Sequence, residues 1–523
     1  MNYFVNENIF SMNSGTEFSA AQRLRLFKDH DVPAKILTRN YNPLLIDDLK
    51  RIKLTQSDVL NMYDYFQEAT FVEPRDIDIR YTEVIDKFDY HIVGVDANES
   101  QIVHHGKVVG KALVAPATVG LVGSLEYYND MNATVAKDVW DRRGFKSSTQ
   151  YFHPDGQLGP QIFYSPEGAP KLEIIRMNVN GTLMNTMYQL LDYKGRAWRF
   201  NSESELFVFF MNEVVAAEPS VLINDRPSLI NEVAAVTGAN AKWQYLHSVH
   251  THNPEQVGGS RNYVDYLKPL FATHANDFDG IMVATDEQKQ EIEKFFHFKH
   301  VMVVPDSFAE AHDLVSIESR DRNKIVYLGR ISPEKEPQEA IKIFAKARKK
   351  LPDLHLDFYG YVSDEATNES MVAYSKELGV DTAIHYHGYQ SEDELAKALG
   401  TAAAMLSVSS SEAFGMNILQ ALSYGVPVIG YNVKYGPKLL VENGVNGYLV
   451  PTGESKAAAD SLVKLLTSTE AGRTWPEMVQ AAYQQSQTFS ADAAWKQWEA
   501  QLSTVPNLFL RLDRSAERFR LLR

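Results

Sequence analysis

The last third of the chain alternates short apolar, β-rich runs with amphipathic segments. The runs fall at 324–330, 354–360, 383–389, 403–409, 427–433 and 447–451, and stretches of helical pattern lie between them at 337–351, 392–399 and 414–424. Strand–helix–strand repetition with mostly apolar strands predicts a parallel sheet covered on both faces, with ligands at the carboxyl ends of its strands. A similar set lies upstream. A run at 2–5 leads through Ser14-Gly15-Thr16 into a helical stretch and a second run at 34–38; a helical segment at 202–217 precedes runs at 221–225, 242–247, 280–285 and 301–305. The pattern predicts an α/β protein with two doubly wound, Rossmann-like domains facing a cleft and joined near 308–322.

Between 81 and 200 the rhythm changes to alternating β pattern. Turns read at Asp155-Gly156, Glu167-Gly168, Asn180-Gly181 and Lys194-Gly195, with their glycines 12–14 residues apart. Regular turn glycines between alternating runs describe an antiparallel β-meander, and this one is too long to be a loop. The expected organisation is therefore 1–80 and 201–318 for the two parts of an N-terminal domain and 81–200 for the inserted meander. A C-terminal domain at 319–485 and a helical segment at 486–523 complete it. The meander is expected to serve assembly or acceptor docking rather than chemistry.

Composition narrows the function classes. There are no cysteines, which excludes disulfides, thiolate metal sites and a cysteine nucleophile. The 52 basic and 67 acidic residues give a net charge of −15, against a broad nucleic-acid-binding role. Arg511, Arg514, Arg518, Arg520 and Arg523 concentrate positive charge in the tail, where a solvated amphipathic helix with at most peripheral membrane contact is expected. The first ten residues are too short and polar for a signal peptide, and no run of eighteen apolar residues occurs. A cytoplasmic protein, at most peripheral at the inner membrane face, is expected.

Two segments carry candidate chemistry. In Gly329-Arg330-Ile331-Ser332-Pro333-Glu334-Lys335, a strand end offers two cations five residues apart. Fixed cations stabilise the charge that builds on a departing diphosphate, Arg as a planar fork and Lys as a point charge. A solvated loop can carry the same pair. In Ser409-Ser410-Ser411-Glu412-Ala413-Phe414-Gly415-Met416-Asn417, a strand end carries one carboxylate and Gly415 opens a helix. Backbone N–H groups at that start suit an anion, and the carboxylate suits sugar hydroxyls. Glu412 read alone also fits a carboxylate stabilising the helix dipole.

Arg330-x4-Lys335 followed by Glu412-Ala-Phe-Gly-x4-Gln420 resembles the donor site of retaining GT-B glycosyltransferases of family 4. Ala421-Leu422-Ser423-Tyr424-Gly425-Val426-Pro427-Val428 and Asn443-Gly444-Val445-Asn446-Gly447-Tyr448-Leu449 extend the resemblance, which is strong over 324–451 and in outline elsewhere. The resemblance implies a UDP-sugar donor and catalysis by Arg330, Lys335, Glu412 and His247. The donor would also be bound by Phe414, Gly415, Met416, Asn417, Gln420 and Tyr389. Gly15, in the first strand-to-helix turn, matches the glycine that lets backbone approach donor phosphate and acceptor. His247 matches the position beside the transferred sugar, with His250 a neighbour in the acceptor pocket. A hydrogen-bonded histidine at a strand end is the alternative for His247. The run His247-x2-His250-x-His252 raises the question of a metal, but no carboxylate accompanies it and the family needs none, so neither metal nor cofactor is expected. One departure stands out: the family glutamate eight residues after the first is Gln420 here, which loses a charge-assisted bond to the nucleotide ribose.

The inserted meander and Tyr431-Asn432-Val433-Lys434-Tyr435-Gly436-Pro437 narrow the resemblance to the teichoic-acid α-glycosyltransferase branch. That branch implies transfer of glucose or N-acetylglucosamine from UDP to poly(glycerol/ribitol-phosphate) wall teichoic acid, with homo-oligomerisation through the inserted sheet. The same branch contains subunits that O-glycosylate serine-rich adhesins and their non-catalytic GT-B partners, and both remain as alternatives.

Overall fold

The computed structural model describes residues 1–81, 83–86, 88–252, 262–469, 474–502, 505, 509 and 510. The tail arginines lie outside these. The chain forms two compact units, one of Met1–Ser11, Pro33–Leu222 and Asn231–Asn240, the other of Met12–Val32, Ile223–Ile230 and Ala241–Arg523. Among the described residues no helix is long and apolar enough to cross a membrane.

In the first unit, the fully buried strand Asn2–Asn6 pairs in parallel with Ala34–Thr38, which pairs with Val59–Asn61. The unit is dominated by ten antiparallel strands, from His91–Gly94 to Arg196–Phe200, in sequential order. Side-chain alternation puts Ile102, Ala112, Leu125 and Trp140 on one buried face with Ile77 and Ile79. The four predicted turns are present. Asn180-Gly181 and Lys194-Gly195 both have φ > 0 at each central residue, the type I′ geometry that matches strand twist. Arg143, held by Asp141 at 2.7 Å and Asp64 at 2.8 Å, and Gln67, donating to the carbonyls of Ser147 and Tyr164, bond the sheet to the segment after Val59–Asn61.

The second unit contains a six-stranded parallel sheet. Its spatial order is Ile384–Gly388, His355–Tyr359, Lys324–Leu328, Ala404–Ser407, Val428–Tyr431 and Gly447–Val450. All six predicted runs contain a strand, each shorter than the run predicted for it. The helices Pro337–Arg348 and Ser455–Thr467 bury Ile341, Phe344, Leu462 and Leu465 on one face; Met416–Ser423 buries Ile418, Leu419 and Leu422 on the other. A further helix, Glu365–Glu377, lies between His355–Tyr359 and Ile384–Gly388, with Met371 and Ser375 buried. Three more parallel strands, Ala241–Tyr245, Gly280–Val283 and Val301–Val303, pair in that order. The helix Gly15–Asp29 carries Phe27 into an aromatic cluster with Trp495, Trp498 and Phe509.

Candidate active site

The switch from strand Lys324–Leu328 into the cation-bearing loop is made by Gly329, whose φ of 136° is open chiefly to glycine. Asn417 fixes this turn from the other segment: its side-chain amide donates to the Leu328 carbonyl at 2.9 Å. Beyond the turn, Lys335 Nζ donates to Glu412 Oε2 at 2.6 Å, and both side chains are largely shielded. Arg330 pairs with Glu334 at 2.5 Å in a more open position. The two loops are also tied through Ser410, whose N–H and hydroxyl both donate to the Glu334 carbonyl. Residues that are 77 positions apart in the sequence thus form one cluster at the carboxyl ends of neighbouring strands, where open α/β sheets bind ligands.

Gly415, at φ 95°, caps the helix Met416–Ser423 and leaves the first N–H groups of that helix beside Glu412. The Glu412 carbonyl accepts from the N–H groups of Tyr435 at 2.6 Å and Gly436 at 3.0 Å, while the Glu412 N–H donates to the Lys434 carbonyl. Gly436 has to be glycine for this, since a Cβ would lie 1.8 Å from the Phe414 carbonyl oxygen. Phe414 itself is 2 % exposed and packs edge-on against Phe489, so its ring belongs to the core and only its backbone is left to the site. Gln420 is half-buried on the same helix, one turn beyond Met416.

The helix Gly15–Asp29 starts next to this cluster. Its capping box uses Ser14 and Glu17, with the Ser14 N–H donating to Glu17 at 2.7 Å. A Cβ added to Gly15 would sit 3.5 Å from Met416 Sδ, so the two helix starts approach each other. The Tyr389 hydroxyl accepts from the Asn13 N–H at 3.2 Å and brings the edge of the six-stranded sheet to the same place.

His247 lies in a buried charge cluster. Its Nδ1 is 2.6 Å from Asp306 and its Nε2 is 2.9 Å from Asp225, and the side chain is 9 % exposed. Asp225 also accepts from Arg23 at 2.6 Å, Asp306 from the Ser19 hydroxyl at 2.8 Å, and the Tyr245 ring lies against the imidazole. Burial opposes a charged ring. The Asp306 charge, then the hydrogen bonds to Asp225 and Asp306 and the Asp225 charge, outweigh it and lift the His247 pKa to about 9. Burial likewise works against the Asp225 carboxylate, but the Arg23 charge and His247 bring it below the usual range. The expectation that no carboxylate accompanies these histidines is thereby corrected. Two do, supplied from 22 and 59 residues away, and they hold an imidazolium with both nitrogens engaged. No local signal marked Asp225, Asp306 or Arg23: Asp225 directly follows its strand, Asp306 lies three residues past the end of Val301–Val303, and Arg23 is inside a helix.

His250 is the opposite case. It is 1 % exposed, stacks with Tyr435 and Phe271, and burial, the dominant influence, lowers its pKa to about 4. Glu291 accepts from the Tyr435 hydroxyl at 2.8 Å and pairs with Lys434. This aromatic group therefore leads, through the Tyr435 backbone, to the Glu412 carbonyl. Among the described residues, none of His247, His250 and His252 falls in a group of potential metal ligands with another.

Comparison with known proteins bears on this geometry. Residues 310–485 match the family described as glycosyl transferases group 1. The UDP-N-acetylglucosamine–peptide N-acetylglucosaminyltransferase GtfA subunit of Streptococcus gordonii is 24% identical over 527 residues, covering 95% of this chain and 97% of the relative. The poly(ribitol-phosphate) α-N-acetylglucosaminyltransferase of Staphylococcus aureus is 20% identical, over 87% of this chain and 90% of the relative. The structure of the pneumococcal O-GlcNAc transferase GtfA in complex with UDP and GlcNAc superposes with a TM-score of 0.81 at 20% identity, covering 96% of this chain and 98% of that one. The chain thus shares the GT-B fold of such neighbours, and its residues 310–485 carry the match to the group 1 glycosyltransferases.

Proposed function

We propose that the chain transfers a hexosyl residue, glucose or N-acetylglucosamine, from its UDP derivative to poly(glycerol/ribitol-phosphate) wall teichoic acid, with retention of configuration. The observation that carries this reading is the Lys335–Glu412 pair at 2.6 Å beside the helix start at Gly415. A diphosphate placed against that helix start would draw the Lys335 ammonium and the Arg330 guanidinium. Glu412 would then accept from donor-sugar hydroxyls. Retention has UDP leave from the face that the acceptor hydroxyl attacks, so the site must hold both on one side. His247, with both nitrogens occupied, contributes fixed positive charge and position there, not proton transfer. The ten-stranded sheet is assigned acceptor docking and self-assembly, and the protein a cytoplasmic place at the inner membrane face.

A second reading, O-glycosylation of a serine-rich protein, is favoured by the S. gordonii relative, which matches more of the chain than the S. aureus one. The deciding experiment incubates the purified chain with UDP-glucose or UDP-N-acetylglucosamine and either glycerol-phosphate polymer or serine-rich peptide, read by mass spectrometry. A hexosyl mass increment on the polymer is expected. Increment on the peptide alone would favour the second reading. No transfer and no donor hydrolysis would leave only a non-catalytic partner role and overturn the proposal.

Gln420 gives a separate prediction. If its side chain faces the nucleotide ribose, Gln420→Glu restores a charge-assisted bond, worth about 1 kcal/mol, and tightens UDP binding roughly fivefold by calorimetry. Unchanged affinity would remove Gln420 from the nucleotide site.

A further inference from the structure

At the open edge of the six-stranded sheet, three ligating side chains converge outside the cluster described above. Asp357 is buried on His355–Tyr359, and His385 and His387 lie on the adjacent edge strand Ile384–Gly388, with Asp357 in register with His385. Two residues apart on a strand means one face, so both imidazoles reach the same carboxylate. His385 Nδ1 is 2.8 Å from Asp357 Oδ1 and His387 Nε2 is 3.5 Å from Oδ2. One ligating atom from each of the three lies within 4.8 Å of the other two. A lone carboxylate–histidine bond would explain His385 but not the second ring aimed at the other oxygen.

We infer that Asp357, His385 and His387 form a binding site for a borderline-soft divalent cation of the zinc class, with water completing the coordination. Two imidazole nitrogens and one carboxylate oxygen are a zinc donor set, and tetrahedral ligation at about 2.0–2.2 Å places ligand atoms roughly 3.3–3.6 Å apart, a spacing within the 4.8 Å that encloses the three ligating atoms. Orientation is built in. The Tyr359 ring stacks on His387 at 4.5 Å with 6° between planes, and the Tyr359 hydroxyl donates to Asp357 Oδ2 at 3.3 Å. Lys324 Nζ stands 3.7 Å from Oδ2 and donates to Thr401 Oγ1 at 3.1 Å, a neighbouring charge that weakens cation affinity without blocking Oδ1. His355, whose ring lies 5.7 Å from that of His385, faces Asp321 instead. The imidazoles are 52% and 38% exposed, which gives the ion a way in, and the chain has no cysteine to compete for it. Binding would clasp the edge strand to its neighbour and serve structure, independently of the transferase reaction.

The test titrates chelator-treated full-length protein with zinc chloride by calorimetry. One zinc with a Kd of about 10 μM or tighter is expected at this site, together with a rise in melting temperature. In His385→Ala/His387→Ala the stoichiometry should fall by one, or the affinity by at least about 30-fold, since two of three ligands are gone. The shape-conserving His385→Gln/His387→Gln pair repeats the measurement should the alanine variant melt early without zinc. Cobalt(II) should give a visible ligand-field band in wild type and not in the variants. Absence of zinc binding, or binding unchanged in a folded variant, overturns the site.

Discussion

Lys335→Ala should lower turnover by at least about 100-fold while leaving the protein folded. The ammonium is asked to offset charge that develops on the departing diphosphate, and removing one such preorganised group costs roughly 3 kcal/mol of transition-state stabilisation. Two consequences add here. The variant loses the charge, and it leaves Glu412, mostly shielded and bonded at 2.6 Å, without its cation. Arg330→Ala should act in the same direction but less, because Arg330 is more open and its partner Glu334 belongs to its own loop. Lys335→Arg keeps the charge but loses the compact geometry and should recover only part of the rate. Turnover within about fivefold of wild type for Lys335→Ala, at saturating UDP-sugar, would remove this cluster from the donor site.

The second large effect is on stability. His247→Ala should destabilise the protein by about 3–5 kcal/mol, the cost of leaving buried charge without its partner. Asp225 would keep Arg23 and Asp306 the Ser19 hydroxyl, but the imidazolium held between the two carboxylates would be gone. The pH dependence has a definite sign. A group whose folded pKa stands above its unfolded value stabilises below the unfolded value and loses that contribution as pH rises through the folded one. For His247 that window runs from about 6.5 to about 9, so the denaturation midpoint should fall across it, and His247→Gln should flatten the fall. Asp225 acts in the opposite direction, losing its contribution on acidification. A wild-type midpoint that is constant between pH 7 and 9.5 would show that the imidazole is not charged in the fold.

These two predictions rest on features that the sequence discloses unequally. The six-stranded sheet is legible because most of its strands are short, largely apolar runs set between helical stretches, and its cations and carboxylate follow at fixed offsets. Phe414 is less so: it stands between Glu412 and Gly415, and only the packing against Phe489 shows that its ring turns inward. The His247 cluster is hidden because its members are brought together by four separate segments, and an aspartate after a strand reads as a turn. The edge strand Ile384–Gly388 alternates polar side chains that a sequence pattern assigns to solvent, and three of its five residues are histidine or glycine. Periodicity reports which face of an element is buried. It does not report which polar groups meet.

The sequential order of the ten-stranded sheet has a kinetic consequence. Each of its strands pairs only with its neighbours in the chain, so every hairpin closes a short loop and the sheet can zip from any turn. The charge cluster does the reverse: Arg23 waits for Asp225 across 202 residues, and Ser19 for Asp306 across 287. During synthesis the meander can therefore be complete while Gly15–Asp29, made long before, still lacks the carboxylates that hold it. Gly15–Asp29 is made early and finds its place late, so an ordered charge cluster becomes a sign that synthesis has passed Asp306.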